Sequence, residues 1–173
     1  MIGGIEFGGT KCIVCVAKNP LDIFEIKEIP TSDPNSTFLE ILSFFNNFKI
    51  SSLGVGSFGP LVLDSESTDY GLLVAESKKG WNGVNIFNEL SSVSSNIFID
   101  TDVNAAALGE YHYGAGKLCE NLVYVTVGTG IGVGVLLGGK PHIGNFHLEI
   151  GHMLIPNSDN FRGICAIHGN FWE

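Results

Sequence analysis

The sequence predicts an α/β fold. Three observations carry this. Two short apolar strand-like runs are joined by a glycine turn near the N-terminus, residues 38–48 repeat their apolar side chains at helical spacing, and residues 96–113 read as a strand running into an alanine-rich helix. Strand and helix patterns alternate in mixed order, with no repeat of constant period and no low-complexity stretch.

Taken in order, Ile2 to Phe7 and Lys11 to Ala17 form the first strand pair, turning at Gly8-Gly9-Thr10. Phe24 to Ile29 reads as a third strand. Glu25, Lys27 and Pro30 give it a solvated face and an edge position. Asp33-Pro34 is a helix start, with Asp able to cap and Pro suited to the first turn. Phe38, Ile41, Leu42, Phe45 and Phe48 then share one helical face. Leu53 to Ser57 is a short strand ending in Phe58-Gly59-Pro60, and Ser65 to Asp69 is a polar loop. Val84 to Leu90 reads as a helix and Asn96 to Ile99 as a buried strand. Asp102 to Tyr113 is a helix rich in alanine, stopped by Gly114 and Gly116. From Leu122 the pattern is strand again. A boundary between Gly114 and Glu120 divides the chain into residues 1–115 and 116–173.

Composition narrows the function classes. The chain has 173 residues, 45% hydrophobic and 16% charged, which argues for a packed core and against disorder. Its 9 Lys+Arg against 18 Asp+Glu give a net charge of −9 without a basic run, which argues against nucleic acid and anionic membrane surfaces as partners. Met1 to Glu6 carries no signal-peptide pattern, and Leu122 to Leu137 is too short and too interrupted by glycine to span a bilayer. Cys12 and Cys15 would point to opposite faces of a strand, so buried free thiols are the default over a metal knuckle. A reducing, cytoplasmic location is the simplest reading.

The 23 glycines are about twice the usual ~7% share. Two clusters sit between strands. In Glu6-Phe7-Gly8-Gly9-Thr10-Lys11, backbone N–H groups can converge on an anion, with Thr10 adding a hydroxyl and Lys11 a charge; the alternative is an ordinary hairpin. In Gly128-Thr129-Gly130-Ile131-Gly132-Val133-Gly134, alternate glycines would line one face of an extended segment; a crowded strand crossing is the alternative. Two look-alikes fail. Val133 breaks a dinucleotide fingerprint counted from Gly128, and Pro141 stands where a P-loop needs Ser or Thr. Between the clusters lies Asp100-Thr101-Asp102-Val103-Asn104, where strand becomes helix. A carboxylate there can accept a hydroxyl proton, or either aspartate can simply cap the helix. Two anion loops and a base would suit phosphoryl transfer.

These segments, with Ser57-Phe58-Gly59-Pro60 and His147-Leu148-Glu149-Ile150-Gly151-His152, resemble the ROK family of sugar kinases in order along essentially the whole chain. Glu6, Lys79-Gly80-Trp81 and the Asp100 to Asn104 segment are similar to the bacterial-type fructokinases within it. The resemblance implies an actin/hexokinase-like (ribonuclease H-like) ATPase domain over residues 1–115, followed by an incomplete second α/β domain over 116–173. It implies ATP-dependent phosphorylation of a hexose, fructose to fructose 6-phosphate, with Asp102 as general base. Sugar would contact Asn104, Glu149, His152 and Glu173 as well as Asp102. Gly8, Gly9, Thr10, Lys11, Gly128, Thr129, Gly130 and Gly132 would hold the phosphates with Mg²⁺. A homodimer is compatible with the same resemblance.

His152, Cys165 and His168 match three zinc ligands of this group, while the fourth falls on Phe171, which cannot ligate a metal; a bound Zn²⁺ would therefore be weakened. The family continues beyond the position of Glu173 with most of its second domain, so the expectation is a kinase fragment or a truncated relative. The sheet after Leu122 would then expose apolar surface. The alternatives to catalysis are a sugar-binding or regulatory relative and a fragment without activity. A repressor form is disfavoured because the first phosphate motif begins at residue 6.

Overall fold

The computed structural model describes residues 1–76, 78–128, 130–143 and 148–153. It separates into two compact units, Met1–Ala105 and Ala106–Glu173.

The first unit is built on a five-stranded mixed sheet in the order β3-β2-β1-β4-β5. Strands β1 (Ile2–Phe7), β2 (Lys11–Asn19) and β3 (Asp22–Pro30) form an antiparallel meander. β4 (Ser52–Ser57) joins β1 in parallel, and β5 (Ile97–Thr101) joins β4 in parallel. The edge position read for the third strand holds, but it is solvated on both faces rather than one: all seven residues from Asp22 to Glu28 are exposed before Ile29 turns inward.

One face of the sheet carries the core. Ile5, Phe7, Val14, Val16, Leu53, Val55, Ile97 and Ile99 alternate onto it and are buried. Helix α1 (Pro34–Phe45) covers them with Phe38, Ile41, Phe44 and Phe45. Asp33 caps this helix by accepting from the Ser36 N–H at 3.0 Å, with Pro34 at the first position. The helical face differs from expectation at its end. The Asn46 N–H closes on the Leu42 carbonyl and ends the helix, so Phe48 falls beyond it and Phe44 takes the buried place.

The described residues between 58 and 85 run across the same core face without regular structure of any length. Paired bridges Leu61↔Leu73 and Leu72↔Asn85 pin them, and Trp81 plugs the core. The Gly59-Pro60 peptide is cis. The expected helix from Val84 begins later, as α2 (Ile86–Leu90). Val84 instead hydrogen-bonds Leu73 across the loop, and the Asn85 side chain caps the helix through the Asn88 N–H.

Helix α3 (Asp102–Tyr113) follows β5 directly and has the bounds the sequence predicts. The N–H groups of Gly114 and Gly116 both close on the Glu110 carbonyl at its end. Among its described residues the second unit contains β6 (Leu122–Val127), β7 (Ile131–Leu137) and β8 (Lys140–Pro141), paired antiparallel in that order, and a 3₁₀ turn at Ile150–His152. Gly128 and Gly130 do not lie in an extended segment as expected. They form the β6–β7 turn, where the Gly128 N–H meets the Gly130 carbonyl at 2.9 Å, because Val127 pairs with Ile131. Val123, Val125 and Val127 stand exposed along β6, the apolar surface anticipated for this sheet.

Cys12 is buried and Cys15 half-buried on opposite faces of β2, both free; burial pushes both thiols above their ordinary pKa. Among the described residues no helix is long and apolar enough to cross a membrane.

Candidate functional site

Strand register assembles the first half of the site. Phe7 on β1 is level with Ser57 on β4, and Ser57 is level with Thr101 on β5. The next residues of the three parallel neighbours therefore leave the sheet side by side: the Gly8-Gly9-Thr10 turn, the Phe58-Gly59-Pro60 loop and Asp102 at the start of α3. Ligands of open α/β sheets gather at these carboxyl ends. The Phe58 N–H donates to the Phe7 carbonyl at 3.0 Å and ties two of the segments together.

The Gly8-Gly9-Thr10 turn is closed by the Gly8 N–H donating to the Lys11 carbonyl at 2.9 Å. Thr31, just past the end of β3, fixes it: its hydroxyl donates to the Gly8 carbonyl at 2.9 Å and its N–H to the Thr10 carbonyl at 3.0 Å. The N–H groups of Gly9 and Thr10 donate to no other described residue. They are the two donors that such a turn can offer an anion. Lys11 is held elsewhere. Its ammonium pairs with Glu28 at 2.7 Å, and the hydrogen bond to that carboxylate, then its charge, raises the Lys11 pKa.

One row deeper, Glu6, Gly56 and Asp100 are level on adjacent strands and share a face. Two carboxylates thus flank a glycine, separated by two strand spacings or about 9.5 Å. A Cβ on Gly56 would lie 2.9 Å from the Ala105 Cβ and 3.3 Å from the Asp102 Cα. The bare backbone at this position is what lets the first turn of α3, and Asp102 with it, rest against the sheet. The reading from sequence missed Gly56; its signal was only a glycine inside a strand.

Neither aspartate is the N-cap of α3. The Thr101 hydroxyl accepts from the Asn104 N–H at 3.1 Å and fills that role. Asp102 accepts from the Val103 N–H at 2.9 Å, with its carboxylate in the helix's first turn. Asp100 accepts from its neighbour Thr101 N–H at 2.7 Å and from the Asn104 side-chain amide at 2.8 Å. Asn104 is only 4% exposed, so this bond fixes its orientation. Asp100 is thus a positioning residue for Asn104, a role outside the two that its sequence context suggests, proton acceptor and helix cap.

In the second unit, the β6–β7 turn carries Gly128 and Gly130, and Gly132 is the second residue of β7, opposite Thr126. Gly128 faces open space. Val133, which breaks the dinucleotide fingerprint, is buried within β7 opposite Val125. Glu149 and His152 sit at either end of the Ile150–His152 turn, with His152 Nδ1 3.3 Å from Glu149 Oε2. Between them Gly151 is buried so tightly that a Cβ there would lie 1.7 Å from the Ile131 carbonyl oxygen. That contact explains the glycine in Glu149-Ile150-Gly151-His152: only a bare backbone lets the turn press on the start of β7.

Thr129, Cys165, His168, Phe171 and Glu173 lie outside the described residues. Among the described residues no group of three or more His, Cys, Asp or Glu side chains is arranged to hold a metal ion.

The sequence model of the ROK family matches residues 2–173. The chain is 37% identical over 175 residues to a fructokinase of Lactococcus lactis subsp. cremoris, covering 99% of this chain and 59% of that protein. It is 36% identical over 181 residues to a fructokinase of Zymomonas mobilis, covering 99% of this chain and 60% of that protein. Its structure is similar to the ROK hexokinase of Thermus thermophilus, with a TM-score of 0.73 and 27% identity over 90% of this chain and 53% of the hexokinase. The chain therefore spans about 59% of the length of the curated relatives it matches. The α/β architecture is the actin/hexokinase-like one of these kinases. With the family's sequence model running through both units and the ordered motifs seated on the strand ends described above, the chain belongs to the ROK family.

Proposed function

We propose that this chain carries the sugar- and phosphate-binding half of an ATP-dependent hexose kinase, with fructose as substrate and fructose 6-phosphate as product. The observation that supports it most is the level register of Phe7, Ser57 and Thr101, from which an anion turn, a loop and a carboxylate emerge together. Fructokinases and glucokinases among the relatives support the hexose class.

In this reading the Asp102 carboxylate takes the proton from the sugar hydroxyl as that oxygen bonds to the γ-phosphorus of ATP. The bond from phosphorus to the β,γ-bridging oxygen breaks, and ADP leaves. Asn104, oriented by Asp100, holds a sugar hydroxyl, joined by Glu149, His152 and Glu173. The amides of Gly9 and Thr10, together with Gly128, Thr129, Gly130 and Gly132, hold the phosphates, with Gly8 and Lys11 closing and flanking the first turn. Glu6 and Asp100 would offer Mg²⁺ hard oxygen donors, directly or through water, and the ion would supply charge neutralisation for the phosphates. The domain division at residues 1–115 and 116–173 is part of the same proposal.

Coupled ADP-release assays with fructose, mannose and glucose test this. The expected result is turnover, highest kcat/KM with fructose; ATP and sugar present without any ADP release would refute it. The same preparation tests the metal. His152, Cys165 and His168 supply three zinc ligands with nothing at Phe171, so metal analysis should find well under one zinc per chain. Phe171→Cys should bring it close to one. Full, equal occupancy in both proteins would overturn the weakened site.

A further inference from the structure

The Gly8-Gly9-Thr10 turn lacks a cation from its own strand, because Lys11 is committed to Glu28. A different lysine reaches it. The Lys78 ammonium donates to the Gly9 carbonyl. It lies 4.3 Å from the centre of the Phe58 ring and 5.9 Å from that of Trp81. Both rings belong to the loop system that leaves the sheet beside the turn. Lys78 is half-buried, and no described carboxylate forms an ion pair with it.

We propose that Lys78 is the cation that meets the transferred phosphoryl group at the Gly8–Gly9 turn; this rests on the phosphate reading of that turn above. An ammonium has three donors. One is used on the Gly9 carbonyl, and one side of the ammonium is covered by an aromatic face. The remaining donor capacity is thereby held at a turn whose Gly9 and Thr10 amides have no described acceptor. The cation and the turn it touches thus come from segments 69 residues apart in sequence. Desolvation lowers the Lys78 pKa, as it does for any ammonium held half out of water without a counter-charge. A phosphoryl oxygen would supply that counter-charge. The aromatic contacts keep the long side chain aimed at the turn before the anion arrives, which lowers the ordering cost of binding.

Lys78→Gln and Lys78→Arg separate this role from a purely structural one. Glutamine retains a donor for the Gly9 carbonyl without the charge, and arginine retains the charge. Affinity for ATP and for inorganic tripolyphosphate is measured by calorimetry on wild type and both variants, alongside hexose turnover. We expect Lys78→Gln to weaken both anions by about 10- to 100-fold, the range of a charge-assisted hydrogen bond, and Lys78→Arg to stay within about fivefold of wild type. Equal affinity in wild type and Lys78→Gln overturns the proposal, as does no binding of either anion by wild type. Normal turnover with unchanged KM for ATP in Lys78→Gln also overturns it while leaving the kinase reading intact. Lys78-dependent tripolyphosphate binding without any hexose turnover supports the anion contact and removes the kinase reading.

Discussion

Replacing Asp102 by asparagine should lower sugar-dependent ADP release by about 10²- to 10⁴-fold, the usual contribution of a positioned general base. The substitution is nearly isosteric. The side-chain oxygen of asparagine can still accept from the Val103 N–H, the bond the carboxylate makes at 2.9 Å. The cap itself is safe because Thr101 supplies it. What is lost is basicity. A neutral amide cannot take the hydroxyl proton, and it forgoes the helix-dipole preference for a negative charge, about 0.3–1 kcal/mol. The melting temperature should therefore move by only a few degrees while kcat collapses. Sugar affinity should stay near wild type, since Asn104 keeps its bond to Asp100. Turnover within tenfold of wild type would remove Asp102 from the chemistry and turn attention to Asp100.

Much of this geometry is legible in the sequence where local chemistry decides it. The α3 helix keeps its predicted bounds because alanines favour it and the Gly114 and Gly116 amides close its end. Asp33-Pro34 starts α1 for reasons contained within four residues. Reading fails where distant strands decide. The spacing of Gly128, Gly130, Gly132 and Gly134 suits an extended face, but pairing of Val127 with Ile131 converts the first two into a turn. No periodicity marks residues 58–85, whose path is set by bridges such as Leu61↔Leu73 and by Trp81 entering the core. Lys78 could not be found from the sequence for the same reason: its partner Gly9 is joined to it only through that fold. The aspartates were natural candidates to cap α3, yet the helix already begins at Asp102, and the cap falls to Thr101 immediately before it.

Trp81→Ala should cost about 3–5 kcal/mol of unfolding free energy, a large part of the roughly 5–15 kcal/mol a domain has. The indole is 1% exposed. It meets Phe7, Phe38 and Phe58 with ring centres 5.9, 5.8 and 5.4 Å away. Its Nε1–H donates to the Ser32 carbonyl at 3.0 Å. Alanine removes the packing and the donor together, whereas Trp81→Phe keeps most of the ring volume. The phenylalanine variant should therefore lose only the hydrogen bond and the packing of the second ring, about 1–3 kcal/mol. Urea titrations of the three proteins check the order, with unchanged slopes showing that the denatured state is unaffected. The loss should also reach the site. Phe58 packs on Trp81 from the loop beside the Gly8–Gly9 turn, and the Lys78 ammonium lies over the Phe58 ring. A hole under that ring frees Phe58 to sink, and Lys78 loses the surface that aims it. Under conditions where Trp81→Ala remains folded, its affinity for tripolyphosphate should fall with its stability. A folded Trp81→Ala protein destabilised by less than about 1 kcal/mol would show that the loop is held by its backbone bridges and not by this side chain.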